Sequence, residues 1–316
     1  MIKKIIKRIF IAIAGVLVLA SVIICVLYLT DKNKRLSELA SNSQLAETSV
    51  GTIEYKIYGD KGPVVLFIHG TPGGYEQGTP IEGCRVLAPS RPGYLRTPLE
   101  VGKTPAEQAR AFSALLESLD IEKVIVYGVS GGGPSAICFA ALFPEKTSAL
   151  ILVMAVSQPL ASPEDNYLLP ESDFLTWAIF SRMQNDSILK AVLKSMGTDP
   201  ATIQLIFEDH EKMKKVKGAM WVAWPPSKRS PGYKNDISQK KSLALPAPEI
   251  KTPTLIMHGA EDDTVPVSQS KKLAEQIPGS KLIILEGVGH IGIIAKFEEV
   301  GKNISEFIED VNHYQR

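Results

Sequence analysis

One rhythm constrains this chain more than any other feature: short apolar runs of strand length alternate with helical patterns from about residue 63 to the end. The runs are Pro63 to His69, Arg85 to Ala88, Lys123 to Gly128, Ala149 to Ala155, Thr254 to His258 and Lys281 to Leu285. Helical patterns cover Thr104 to Leu119, Gly131 to Phe143, Ser268 to Ile277 and Ile294 to Val311. Parallel strands need long crossovers, so this alternation predicts an α/β fold with a mostly parallel sheet flanked by helices. The runs are continuously apolar, which predicts strands covered on both faces.

Pro159 to Pro248 breaks the rhythm. It holds amphipathic helical patterns at Phe174 to Lys194 and Thr202 to Val222, then a proline-rich stretch from Pro225, and no strand pattern. The strand rhythm resumes at Ile250, so a helical cap or lid over residues 158–249 is expected. It would divide one α/β core into residues 49–157 and 250–316. Leu36 to Thr48 is polar, small and without periodicity, and reads as part of a tether over residues 30–48.

Ahead of the tether, Ile9 to Leu29 is uncharged over 21 residues, with Ser21 its clearly polar member. As a helix it would reach roughly 31 Å, about the thickness of a bilayer's hydrocarbon layer. The run exceeds an ordinary signal-peptide core, and Thr30-Asp31-Lys32-Asn33 offers no small-x-small cleavage site, so an uncleaved transmembrane anchor over residues 9–29 is expected. Lys3, Lys4, Lys7 and Arg8 lie in the basic segment 1–8, which favours a cytoplasmic N-terminus and an extracytoplasmic globular domain.

Residues 1–35 hold 7 of the 35 basic and 1 of the 34 acidic residues, leaving 28 against 33 beyond them, a balance of −5. A mildly acidic globular part carries no electrostatic footprint for nucleic acid. Three cysteines, Cys25 among them in the apolar run, exclude a disulfide-dense scaffold, and Cys84 and Cys138 read as buried thiols. No Cys/His cluster has zinc spacing, so no metal is expected.

The chemistry gathers at strand ends. Gly128-Val129-Ser130-Gly131-Gly132 follows the run Lys123 to Tyr127 and precedes a helical pattern. That strand-turn-helix setting gives the G-x-S-x-G pattern its meaning: the serine takes a strained turn that exposes its hydroxyl, and the glycines remove side chains that would clash. His69-Gly70-Thr71-Pro72-Gly73-Gly74 follows another strand, where a glycine-rich loop can aim N–H groups at a developing oxyanion, although a plain surface turn would look the same. His258-Gly259-Ala260-Glu261-Asp262-Asp263 supplies loop carboxylates, and Gly287-Val288-Gly289-His290 an imidazole. Taken singly such groups are usually solvated, but open parallel sheets collect their sites at these strand ends.

From about residue 50 to its end the chain resembles the α/β-hydrolases with a helical cap, by these four motifs in this order. The resemblance implies a Ser130, Asp262, His290 triad, because Gly259, Asp262, Val265 and Pro266 match the family's Gly-x-x-Asp-x-x-Val-Pro pattern and His290 sits where the family places its base. Asp263 and Glu261 are the other acids of the cluster. His69 and His258 belong to His-Gly turns, His210 to the cap and His313 to the tail. The family's His-Gly-x-Pro matches His69 to Pro72 and implies an oxyanion hole made by the N–H groups of Thr71 and Gly131. Ser90-Arg91-Pro92-Gly93-Tyr94 matches a structural loop after a central strand, where a pocket-lining role is the second reading.

The implied activity is cofactor-free hydrolysis of a carboxylic ester or thioester through an acyl-enzyme. Dehalogenases and epoxide hydrolases of the family use an aspartate where this chain has Ser130. Proline-specific aminopeptidases usually show Gly-Gly-Ser-Trp-Gly there; Gly131 after the serine makes that activity the alternative. A catalytically silent ligand-binding member would be expected to lose the serine, acid or histidine, and all are present. Trp177, Phe180, Trp221 and Trp224 in the cap are candidates to line an apolar acyl pocket, though cap packing needs the same residue types. An acyl ester or lipid-like small molecule is the expected substrate, with the membrane engaged through the N-terminal helix.

Overall fold

The computed structural model describes residues 2–160, 171–183, 185–195 and 198–314. They form two units, one ending at Ser43 and one beginning at Gln44. The first is a single helix, α1 (Ile2–Ser41), whose most apolar stretch has a mean hydropathy of 3.1. It is long and apolar enough to cross a membrane. A helix satisfies its own backbone groups, as an apolar solvent demands.

The second unit is built on an eight-stranded sheet, β1 (Gln44–Thr48), β2 (Gly51–Tyr58), β3 (Val64–Ile68), β4 (Arg85–Pro89), β5 (Val124–Val129), β6 (Thr147–Val153), β7 (Thr254–Gly259) and β8 (Lys281–Leu285). Their order is β1-β2-β4-β3-β5-β6-β7-β8. The pairs β1/β2 and β2/β4 are antiparallel and the others parallel. The six strands expected from the sequence are all present.

The double covering is visible residue by residue. Leu66, Ile68, Val126, Leu150 and Ile256 bury themselves with Phe112, Leu115, Ile137, Phe139 and Leu273, which lie on α2 (Pro105–Ser118), α3 (Gly133–Leu142) and α9 (Ser268–Gln276). Their neighbours Val65, Phe67, Ile125, Ile151 and Leu255 pack instead with Ile304, Phe307 and Ile308 of α11 (Phe297–Tyr314), which follows the short α10 (Gly292–Ala295). Alternate residues facing opposite helical layers make each strand apolar throughout.

Three features differ from the sequence reading, the first being β2, which lies outside the six apolar runs. The stretch expected to be a tether is the end of α1 followed by β1, which pairs with β2 through a turn that puts Gly51 at φ 125°. In β1 only Ala46 is buried, so too little apolar signal marks this strand. Between β6 and β7 the helical cap is more finely divided than its periodicity suggests: α4 (Asp173–Phe180), α5 (Asp186–Ser195), α6 (Pro200–Phe207), α7 (His210–Trp221) and α8 (Ser230–Lys240). Asp199 and Asp209 cap α6 and α7, breaking the apparent long helix. The proline-rich stretch contains α8, with Pro231 in its first turn where a missing N–H does no harm. Residues 161–170 of the expected cap lie outside the described residues.

Candidate active site

Ser130 follows β5 at the turn into α3 with φ 48°, left-handed backbone that a serine adopts only under constraint. Its neighbours supply the constraint. A Cβ on Gly132 would stand 2.6 Å from the His69 carbonyl oxygen, and one on Gly131 would collide with the Thr71 hydroxyl. The β5 turn and the loop after β3 are thus pressed together, with Gly70 against the Ser130 side chain.

The parallel arrangement brings the ends of β5, β7 and β8 to one edge of the sheet. Ser130 Oγ lies 3.1 Å from His290 Nε2, and His290 Nδ1 lies 2.6 Å from Asp262 Oδ2. The carboxylate can only accept, so Nδ1 carries the proton and Nε2 is free to accept from the serine hydroxyl. Asp262 Oδ1 accepts from the backbone N–H groups of Thr264 and Val265 at 2.9 and 2.8 Å. Burial would raise the Asp262 carboxyl, but hydrogen bonds from His258 and His290 outweigh it and hold the group well below its usual range.

The other acids of the cluster point elsewhere. Glu261 accepts from the Val288 N–H, and Asp263 is exposed. His210 and His313 are exposed as well. His258 is fully buried beside Asp262, with Nε2 2.8 Å from the Val265 carbonyl oxygen and 3.2 Å from Asp262 Oδ2. Both are acceptors, so Nε2 bears its proton and Nδ1 accepts from the Ser270 hydroxyl at 2.6 Å.

His69 ties the loop after β3 to the loop after β4. Its Nε2 accepts from the Arg91 N–H at 2.9 Å, and its Nδ1–H donates to the Gly70 carbonyl at 2.8 Å. Burial, reinforced by the Arg91 charge, drives its pKa well below the ordinary imidazole value. The Thr71 N–H lies beside Gly131, and the Thr71 hydroxyl donates to Asp236 of α8.

The sequence reading gave no sign of Asp236. Its carboxylate receives Arg91 Nη1 at 3.0 Å, Arg91 Nη2 at 2.5 Å and the Tyr94 hydroxyl at 2.6 Å. Burial opposes its ionisation, but Arg91 prevails and lowers its pKa. The signal that existed was Ser90-Arg91-Pro92-Gly93-Tyr94: a buried arginine in a loop demands a buried acid.

The four candidate pocket aromatics gather within the cap. Phe180 and Trp221 stand edge to face at 5.5 Å, as do Trp221 and Trp224 at 5.4 Å. Trp177, Phe180 and Trp224 are buried, and the Trp224 indole donates to the Asp173 carbonyl. A cavity of about 20 Å³ beside Gly131 is lined instead by Arg91, Gln108, Ser135, Asp236 and Lys240 among others, and by none of the four. Cys84 and Cys138 are buried free thiols, and the described residues contain no cluster of metal-ligating side chains.

A family model described as alpha/beta hydrolase fold matches residues 63–297. An uncharacterized hydrolase of Bacillus subtilis (strain 168) is 31% identical over 279 residues, covering 82% of this chain and 95% of its own. A 2-hydroxy-6-oxo-6-phenylhexa-2,4-dienoate hydrolase of Burkholderia cepacia is 25% identical, over 81% of this chain and 92% of its own. Among solved structures, an alpha/beta hydrolase fold protein from Nakamurella multipartita superposes with a TM-score of 0.72 at 26% identity, over 84% of this chain and 98% of its own.

Proposed function

The chain belongs to the alpha/beta hydrolase fold family, and from that premise we propose that it is a membrane-anchored serine hydrolase cleaving carboxylic ester or thioester bonds. The observation that carries the reading is the hydrogen-bonded series Ser130, His290, Asp262, with the serine strained into φ 48° beside Thr71 and Gly131.

Each group has a task in acyl transfer. A neutral serine hydroxyl is a poor nucleophile; His290 Nε2 removes its proton as Oγ attacks the carbonyl carbon, and Asp262 holds the imidazole in the tautomer that can accept. The Thr71 and Gly131 N–H groups receive the oxyanion, a stabilisation typically worth about 3–4 kcal/mol per donor. His290 then protonates the leaving alcohol or thiol. Water attacks the acyl-enzyme with His290 again as base, releasing the acid and restoring Ser130.

Hydrolysis is the chemistry named for both curated relatives, and the Burkholderia cepacia protein is named for an oxo-dienoate. Esters are preferred here over peptides because Gly131 packs under the Thr71 hydroxyl, leaving no room for the tryptophan that proline-specific aminopeptidases carry after their serine. α1 supports the anchor by length and composition, and the basic residues ahead of its apolar run favour an extracytoplasmic catalytic unit.

A fluorophosphonate probe applied to the purified full chain tests the nucleophile: wild type labels and Ser130→Ala does not. Equal labelling of the two removes Ser130 from the chemistry. Short- and long-chain p-nitrophenyl esters compared with aminoacyl nitroanilides test the substrate class, and preference for the anilides assigns a peptidase instead.

A further inference from the structure

The loop that carries Thr71 is held at two points by α8 and the residue that precedes it. Asp236 on α8 accepts from the Thr71 hydroxyl, while Arg91 Nη2 donates to that same oxygen at 3.0 Å. The hydroxyl therefore has its donor and acceptor roles both filled, which fixes its rotamer. Seven residues earlier, Arg229 sends Nη1 to the Gly73 carbonyl and Nη2 to Glu76 Oε1, each at 2.6 Å. Arg229 is the residue just before α8 and Asp236 lies within it, so the start and the middle of the helix hold the loop at Gly73 to Glu76 and at Thr71.

The helix and the turn just before it are also sewn to the loop after β4. The Gly232 N–H donates to the Gly93 carbonyl at 2.9 Å, and the Leu95 N–H to the Lys228 carbonyl at 2.7 Å. A Cβ on Gly93 would lie 2.5 Å from Gly232 N, so the two backbones touch where side chains would part them. Arg91 and Arg229 are each 1% exposed. Burying ion pairs of this kind adds little net stability over well-packed apolar groups, but it fixes geometry. What it fixes here is the segment from Thr71 to Glu76.

We propose that Asp236 is a positioning residue for the oxyanion hole: through the Thr71 hydroxyl it sets the direction of the Thr71 N–H over Gly131, so hydrolysis requires α8 in its seat. The proposal rests on the serine-hydrolase reading above. It makes the cap a part of the catalytic geometry, beyond any role in enclosing substrate.

The test uses the full chain in detergent, a p-nitrophenyl ester, and active sites counted by fluorophosphonate labelling. Thr71→Val removes the hydroxyl at constant shape and leaves the Arg91–Asp236 pair intact; Asp236→Asn removes the charge that Thr71 addresses. Each is expected to lower kcat about 10- to 100-fold with KM changed less than about threefold, the scale of a displaced oxyanion donor. The double variant is expected to match the worse single variant, because both break one link.

Wild-type kcat in Thr71→Val, or losses that multiply in the double variant, overturn the proposal. If Asp236→Asn does not fold, Thr71→Val decides alone. A wild type that neither labels nor hydrolyses ester fails the serine-hydrolase reading itself; a wild type that does both, with variants to match, fails only the role of Asp236.

Discussion

His258 places its Nε2 3.2 Å from Asp262 Oδ2, the same oxygen that His290 Nδ1 reaches at 2.6 Å. One carboxylate oxygen thus faces two imidazole N–H groups, and only one of those rings touches Ser130. Replacing His258 by leucine removes one donor from Asp262 and strands the Ser270 hydroxyl. About 1–3 kcal/mol of stability should go with it, and kcat should drop about tenfold with KM little changed, as the acid loses part of its hold. Chemical denaturation and ester kinetics on the same preparation check both. A stable variant with unaltered kcat would show that His258 serves packing alone.

Gly131→Ala should be more damaging than its size suggests. The added methyl would collide with the Thr71 hydroxyl, and the least costly escape moves the loop that carries the Thr71 N–H. A fall in kcat of about 100-fold or more is expected, with a folded protein by circular dichroism. Activity within twofold of wild type would remove the Thr71 loop from the oxyanion's surroundings.

Acid should destabilise the protein in two stages. His69 is buried neutral with its pKa lowered, so the unfolded chain takes up its proton first, and stability present above about pH 6.5 declines below it. Asp236 and Asp262 are held below their usual values, so their contribution is whole above about pH 4 and drains away as the pH falls further. Thermal melts of the full chain from pH 8 to 3 should show a plateau, a shallow decline and then a steep one. Asp236→Asn should flatten the last stage, and a melting temperature constant from pH 7 to 5 contradicts a neutral buried His69.

The proposed anchor makes a separate prediction. The mature protein should keep its N-terminal residues, resist extraction by alkaline carbonate, and expose its catalytic unit to protease added outside intact cells. An N-terminus near residue 30 would mean that the apolar run is a cleaved leader.

The candidate site residues were legible because an apolar run, a glycine-marked turn and a reactive side chain coincide at each, with the family resemblance choosing Asp262 from the acids around it. Ser130, Asp262 and His290 could be placed at strand ends before any geometry was known, and the structure joins them in one hydrogen-bonded series. β1 was hidden because a strand with one buried residue has no apolar run to show. α8 was hidden because Ser230-Pro231-Gly232 reads as a turn, whereas Pro231 occupies a helix's first turn and Gly232 lets Tyr94 and the Gly93 backbone press close. Asp236 was hidden with it, since sequence periodicity tracks apolar faces and a buried acid is recognisable only beside its arginine.

Arg229 and Asp236 also bear on how caps can be exchanged between relatives. A chimera that grafts a foreign segment in place of residues 158–249 would leave Arg91 without its counter-charge and Gly73 without its guanidinium. The cap together with the loops Thr71 to Glu76 and Ser90 to Leu95 is therefore the expected unit of transplantation, the smallest set that keeps both buried arginines with their partners.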